Sequence, residues 1–292
     1  MIENLNDEPF IPRRCILFGS NGFIGRNLTK KLRKNNIDIL EITSKNIDLT
    51  KESNIGKISK IIKPKDIIIM LSALTPDRGR DLNTYFLNIQ MIRNLVEAIK
   101  QKSDINHFIY FSSDAVYSFK ETLINEQTPV TSSDYYSLMH LTREEIIKNE
   151  IKFPYLIVRP TLVFGSGDTH NSYGPNRFIR GFLKDNKITL GGQGEETRDH
   201  IYINDLVEMI NLMIVYRSVG TINLATGNSI SFLSIAKKIS NFFSDSKINF
   251  SERNNEITYR RFDTSLFKKK FHSFSFSSLD KSIEQSIKTW VK

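Results

Sequence analysis

Apolar positions along the chain fall into short runs separated by segments with helical spacing. The run Cys15-Ile16-Leu17-Phe18 breaks into glycines at 19, 22 and 25. Ile24, Leu28 and Leu32 then repeat every four residues among Arg26, Lys30, Lys31 and Lys34. Strand, glycine turn and amphipathic helix form the opening of a βαβ unit. Asn35-Asn36 stops the helix, and 37–42 reads as a second strand. The alternation continues with a helix over 51–62 broken at Pro64, a strand over 66–71, a helix over 82–101 and a strand over 107–112. A helix over 134–149 and a strand over 155–158 follow. Short strands alternating with helices predict a parallel sheet covered on both faces. After about residue 160 the texture changes, as Gly165-Ser166-Gly167 and Gly191-Gly192-Gln193-Gly194 interrupt shorter elements. Helices are expected there at 204–216, 231–243 and near 279–291, with a strand at 221–224.

Composition narrows the classes of partner. Hydrophobic residues make up 39% and charged residues 25% of the 292 positions, a globular balance with enough apolar material for a core. The single cysteine, Cys15, rules out a disulfide framework and suits a reducing cytoplasm, the expected location. No apolar run approaches the roughly 20 residues that cross a bilayer, so no membrane partner is expected. Lys and Arg number 41 against 32 Asp and Glu, for a net charge of +9, which taken alone suggests nucleic acid. The basic residues are scattered, however, and their clusters at 30–34 and 268–270 fall on expected helix surfaces. The aromatics do not interleave with them as a stacking platform would require, so no nucleic-acid partner is expected. Five scattered histidines and one cysteine offer no metal-ligand cluster.

The three glycines have separate jobs. Gly19 allows the tight turn, Gly22 lets a pyrophosphate approach the backbone, and Gly25 lets helix pack on strand. The helix N-terminus behind them offers N–H groups and a positive dipole end to phosphates. This predicts an α/β chain with a Rossmann-type doubly wound parallel sheet over 1–165. Residues 166–292 are expected to form mainly a smaller α/β substrate lobe, with some segments returning to the core. The active crevice is expected between the two.

The spacing G-x-x-G-x-x-G, with the stretches that follow, resembles the extended short-chain dehydrogenase/reductases, the NAD-dependent epimerase/dehydratase family of nucleotide-sugar enzymes. The matching stretches are GSNGFIG (19–25), Asp48-Leu49, Leu71-Ser72-Ala73, Asn88, FSSDAVY (111–117), Tyr136 with Glu144, VRPTLVFG (158–165) and RDHIYINDL (198–206). The resemblance implies cofactor contacts at Gly19, Asn21, Gly22, Phe23, Ile24 and Gly25. It places Asp48 and Leu49 beside the adenine, and Leu71, Ser72 and Ala73 beneath the ribose and phosphates, with Asn88 near them. At the end of the second strand Thr43, Ser44 and Lys45 stand where NAD-preferring members carry a carboxylate. Hydroxyls and a lysine suit a 2′-phosphate, so NAD and NADP both stay open, with an inclination to NADP.

The resemblance also implies the catalytic set: Ser113 as the hydroxyl that hydrogen-bonds the reacting oxygen, and Tyr136 as acid/base. A lysine is expected four residues after the tyrosine. Here that position is His140, on the same helix face but mostly neutral at pH 7 and so weaker help to a tyrosinate. Arg143, two turns along that face from Tyr136, is a candidate for the missing charge. Tyr135 competes poorly, since its own partner four residues on is Met139. Asp114 is followed by Ala115, whereas 4,6-dehydratases carry Asp-Glu there, so the expected reaction is epimerisation or 4-keto reduction rather than dehydration. Arg198 matches the arginine that reaches the substrate diphosphate. Asn176 and Arg177, at the start of a helix, are further substrate candidates together with Ser113 and Asp114. A non-catalytic dinucleotide-binding protein and a reductase of a non-nucleotide carbonyl stay open as alternatives. Relatives often dimerise through the helices at 82–101 and 134–149, so a homodimer is a further expectation.

Overall fold

A computed structural model describes residues 2–102, 104–168, 174–253 and 256–290. In chain order the elements are β1 (Glu3–Asn4), β2 (Arg14–Phe18), α1 (Phe23–Lys34), β3 (Asp38–Ile42), α2 (Ile55–Ile61) and β4 (Ile67–Met70). Next come α3 (Leu82–Lys100), β5 (His107–Phe111), β6 (Leu123–Ile124), α4 (Tyr135–Glu150), β7 (Tyr155–Pro160), β8 (Leu162–Phe164) and α5 (Pro175–Asp185). The chain continues through β9 (Lys187–Gly191), β10 (Thr197–Tyr202), α6 (Ile203–Val215), β11 (Ser218–Leu224), β12 (Ser229–Ser231) and α7 (Phe232–Ser240). It ends with β13 (Lys247–Ser251), β14 (Arg261–Phe262), α8 (Ser265–Lys270) and α9 (Leu279–Trp290). The expected helix over 51–62 is divided into a 3-10 turn at Glu52–Asn54 and α2. Asn54 donates its side-chain amide to the Asp48 carbonyl at 2.9 Å, which holds the turn out of the helix. Position 291 of the expected last helix lies outside the described residues.

The chain separates into two compact units, each assembled from several segments. The first comprises 1–118, 129–159 and 207–222; the second comprises 119–128, 160–206 and 223–292. A seven-stranded sheet has the order β1-β11-β7-β5-β4-β2-β3, and its run β7-β5-β4-β2-β3 is parallel. Strand β4 (IIIM) is buried at every position, as a strand covered on both faces must be. From β2 the chain adds β3 on one side and then crosses to place β4 on the other. This reversal leaves a crevice beyond the carboxyl ends of β2 and β4, the usual ligand position in such sheets.

Two caps place the helices around that crevice. Asp81 accepts from Thr84 N at 2.7 Å at the start of α3. Asp134 and Ser137 form a reciprocal capping box at the start of α4, worth about 1 kcal/mol and setting where Tyr136 emerges.

In the second unit, β8, β10 and β12 form one small sheet, while β9 pairs with β13 and β14 with β6. The last two pairings join residues 60 or more apart in sequence, and the small sheet joins residues about 30 to 38 apart, which is why periodicity did not reveal them. Among the described residues no helix is long and apolar enough to cross a membrane, and no group of His, Cys, Asp or Glu could hold a metal.

Candidate active site

The glycine turn has the geometry of a phosphate cradle. Gly19 adopts φ +93°, and a Cβ there would stand 2.9 Å from Ser72 N. A Cβ on Gly25 would lie 2.4 Å from the Gly19 carbonyl oxygen. Helix α1 begins at Gly22 with no side-chain cap and no acidic residue in its first turn, so its leading N–H groups suit an anion. Asn21 and Gly22 are exposed, Ile24 is half-buried, and Phe23 is packed inward. These features fit a dinucleotide pyrophosphate. Gly25→Ala is expected to abolish tight cofactor binding, because the turn must open to admit the methyl group. Isothermal titration with NADH and NADPH, beside a thermal melt, separates that loss from unfolding.

The expected cofactor residues gather along one edge of the sheet. Gly19 N donates to the Ile42 carbonyl at 2.9 Å, which joins the glycine turn to the end of β3, where Thr43 follows. Asn46 Oδ1 accepts from Thr43 N and Oγ1, while Ser44 and Lys45 are exposed. Glu41, the nearest carboxylate on β3, pairs with Arg33 at 2.6 Å. Asp48 Oδ1 accepts from Thr50 N and Oγ1, and Leu49 is buried. Leu71 N donates to the Phe18 carbonyl at 2.9 Å, and Ala73 is half-buried. Asn88 fastens this loop to α3: its Oδ1 accepts from Leu74 N at 2.9 Å and its Nδ2 donates to the Leu74 carbonyl at 3.0 Å.

Ser113 follows β5 and caps the 3-10 turn Asp114–Val116, its Oγ accepting from Ala115 N at 3.1 Å. The hydroxyl proton is thereby left to donate elsewhere. Its neighbour Ser112 donates to Glu144 Oε1 at 2.6 Å, and Arg159 grips the same carboxylate through Nε at 2.9 Å and Nη2 at 2.5 Å. Arg159 also donates to the Tyr117 hydroxyl at 2.8 Å. Glu144 and Arg159 are 1% and 4% exposed, so removing one partner leaves a buried charge, a loss of about 3–5 kcal/mol. This pair holds the peptide that presents Ser113.

Tyr136 is half-buried, with its ring edge to face against His140 at a centroid distance of 4.7 Å. The competitor Tyr135 is 43% exposed. His140 is buried, and its Nδ1 lies 2.7 Å from the Tyr110 hydroxyl. Burial, with the Arg143 charge adding to it, pushes the imidazole down to about 3, so it is neutral across the working pH range. His140 Nε2 is buried without a hydrogen-bond partner. A ribose hydroxyl of a bound cofactor would satisfy it, a second point of fit. Arg143 is wholly buried and donates to the carbonyls of Asn88 and Ser72. Tyr110 is the participant that sequence reading missed, since it stands inside the apolar strand HFIYF.

In the second unit Arg198 lies on β10, its guanidinium donating to the Thr197 and Thr258 carbonyls at 2.8 and 2.9 Å and to Thr258 Oγ1 at 2.5 Å. Arg177 is exposed in the first turn of α5. Asn176 is turned inward, contrary to a role as a ligand-facing side chain. Its Oδ1 accepts from Gly165 N at 3.0 Å and its Nδ2 donates to Asp168 at 2.8 Å, so it holds the loop after β8. Asp199, not singled out from sequence, accepts from the backbone N–H groups of Thr226, Gly227 and Asn228 and braces that turn.

A parallel sheet with a phosphate cradle at its reversal point and a Tyr–His pair on the adjoining helix defines a dinucleotide-dependent α/β protein of the short-chain dehydrogenase type. Residues 15–225 match the NAD dependent epimerase/dehydratase family, and the chain belongs to that family. It is 25% identical over 230 residues to YtcB of Bacillus subtilis, an uncharacterized UDP-glucose epimerase, spanning 69% of this chain and 72% of that one. It is 29% identical over 284 residues to a dTDP-D-glucose 4,6-dehydratase of Dictyostelium discoideum, spanning 82% of this chain and 64% of that protein. Among solved structures, the Thermus thermophilus UDP-glucose 4-epimerase complexed with NAD shares the fold. Its TM-score is 0.80 at 14% identity, over 95% of this chain and 99% of that one.

Proposed function

We propose that this chain is an NAD(P)-dependent enzyme acting on a nucleotide sugar, as an epimerase or 4-keto reductase rather than a 4,6-dehydratase. The observation that carries the reading is Tyr136 packed edge to face on His140 at the capped start of α4, the helix that also reaches the loop beside the glycine turn. When bound, the nicotinamide cofactor would exchange a hydride with a sugar carbon. Tyr136 would move the proton at the oxygen on that carbon, as general acid or base. Ser113, its lone pair engaged by Ala115 N, would donate to the same oxygen. His140 Nε2 would hydrogen-bond the nicotinamide ribose, and Gly19–Gly25 would hold the pyrophosphate.

In the second unit, Arg198, Arg177 and the N-terminus of α5 supply groups suited to a diphosphate. The absence of a carboxylate over 42–45, with Lys45 exposed, supports acceptance of a 2′-phosphate and hence NADP beside NAD. Exposed Leu82, Phe86 and Tyr135 on α3 and α4 support a homodimer through those helices. A cytoplasmic location fits the lone thiol of Cys15, which burial pushes up and keeps unreactive.

The reading against dehydration rests on Ala115, which cannot abstract a proton. The test is incubation with a panel of UDP-, dTDP- and GDP-sugars and their 4-keto forms, with NAD and NADP supplied separately, followed by NMR of the sugar. Interconversion of C4 epimers without net cofactor change, or reduction of a 4-keto sugar with stoichiometric NAD(P)H consumption, is expected. A 4-keto-6-deoxy product from a 6-hydroxy sugar would overturn the exclusion of dehydration. Cofactor binding with no turnover on any substrate would favour a non-catalytic binder.

A further inference from the structure

Asn21-Gly22, inside the glycine turn, is the only Asn-Gly pair in the sequence. Asparagine before glycine is the pair most prone to cyclise, because glycine has no side chain to hinder attack by its own backbone nitrogen on the asparagine side chain. Both residues are exposed, so water can enter and ammonia can leave.

The surroundings of the pair favour that chemistry in two ways. Cyclisation requires the Gly22 N–H to lose its proton, and the charge left behind spreads onto the Asn21 carbonyl oxygen, because the peptide bond is conjugated. Arg26, in the first turn of α1, donates through Nη1 to that same oxygen at 2.7 Å. A guanidinium stays protonated, so a fixed positive charge sits where the negative charge develops. Gly22 is also the N-cap of α1, whose first turn holds no acidic residue, and the positive end of the helix acts in the same direction. One contact acts against them. The Gly22 N–H donates to the Gly19 carbonyl at 3.1 Å, so the turn must loosen before the nitrogen can react.

We propose that Asn21 is a site of spontaneous deamidation, promoted by Arg26, and that the carboxylate so formed closes the phosphate cradle to a dinucleotide. The Gly22 nitrogen attacks Asn21 Cγ and a carbon–nitrogen bond forms. The side-chain nitrogen leaves as ammonia, taking up the proton that Gly22 lost. Water then opens the cyclic imide at either carbonyl, giving aspartate or isoaspartate, and no oxidant or reductant is needed. Either product sets a negative charge at the start of α1, and isoaspartate also inserts a methylene into the backbone there. A carboxylate suits this uncapped helix end, and it competes with a pyrophosphate for the same N–H groups. The loss of binding rests on the reading of the turn as the cofactor site; the conversion itself does not. By the same repulsion, bound dinucleotide is expected to slow the conversion.

The test follows purified protein held in mildly alkaline buffer for weeks, with and without saturating NADH or NADPH. Peptide mapping by mass spectrometry reads each asparagine, and a carboxyl-methyltransferase assay reads isoaspartate. Conversion is expected at Asn21 ahead of every other asparagine, and more slowly with dinucleotide present. Arg26→Gln, a change on an exposed side chain, is expected to slow it about threefold, the effect of one exposed charge, with the melting temperature kept. By isothermal titration, Asn21→Asp is expected to bind dinucleotide about tenfold more weakly than Asn21→Ser, a comparison that separates the charge from loss of the amide.

An Asn21 that converts no faster than other asparagines would overturn the proposal, as would an unchanged rate in Arg26→Gln or in the presence of bound dinucleotide. Equal affinities in Asn21→Asp and Asn21→Ser would do the same. Wild-type protein that binds neither dinucleotide would instead defeat the cofactor reading of the turn. Conversion at Asn21 is still measurable by mass in that case, so the two failures are distinguishable.

Discussion

Tyr136→Phe is expected to lower kcat by about 10³-fold, equivalent to about 4 kcal/mol of barrier, while leaving KM and the melting temperature near those of the wild type. The hydroxyl is the only group removed. The ring remains to pack edge to face on His140, and the capping box of Asp134 and Ser137 still starts the helix. A loss confined to kcat therefore reports proton movement in the transition state rather than lost binding. Tyr135→Phe is the internal control. Tyr135 is exposed and its helix neighbour four residues on is the buried Met139, so near wild-type turnover is expected. Steady-state kinetics on the first substrate found in the nucleotide-sugar panel decides the matter. Turnover within tenfold of wild type in Tyr136→Phe would remove Tyr136 from the chemistry.

Acid should destabilise this protein well before its carboxylates protonate. His107, His140 and His200 are each held by burial at about 3, against 6.5 for an exposed imidazole. Between those values the unfolded chain binds a proton on each histidine and the folded chain does not. Stability therefore rises with pH through this window and falls on acidification, by about 1.4 kcal/mol per pH unit for each histidine. At about pH 5 the three together remove about 6 kcal/mol, a loss on the scale of the entire stability of many domains. Asp199 is pushed up by burial, so its own contribution to the pH dependence has the opposite sign. Urea unfolding at pH values from about 7.5 to 5 should show midpoints falling steeply below about 6.5. A flat profile would mean that these imidazoles are hydrated or partnered in solution.

Much of the first unit could be read from the chain, for physical reasons that the structure makes plain. A strand buried on both faces has to be apolar throughout, as Ile67–Met70 is, and such runs stand out between amphipathic helices. The glycines announced themselves because no other residue fits where a Cβ would meet the Gly19 carbonyl at 2.4 Å. Spacing by four also placed His140 beside Tyr136. It could not tell that His140 would be neutral and bonded to Tyr110, because a buried strand tyrosine looks like any apolar residue in the sequence. Arg143 was read as a charge on a helix face, yet its neutral oxygen partners come from α3 and from the loop after β4. Asn176 illustrates the reverse error. Its position at a helix start suggested a ligand contact, and its amide instead completes the loop at Gly165 and Asp168. The motif located Arg198 but not its anchor Thr258, 60 residues further on.

The path of the backbone through its two units limits how such a protein can be altered. The chain passes from one unit to the other after Ser118, Thr128, Arg159, Leu206 and Ile222. Neither unit is a continuous stretch of gene, so no single cut releases one intact, and no single exchange of coding sequence transfers one to another protein. Chimeras made at one crossover point should fail to fold. Grafts bounded by two adjacent crossing points keep both chain ends in the same unit and are the exchanges this architecture permits.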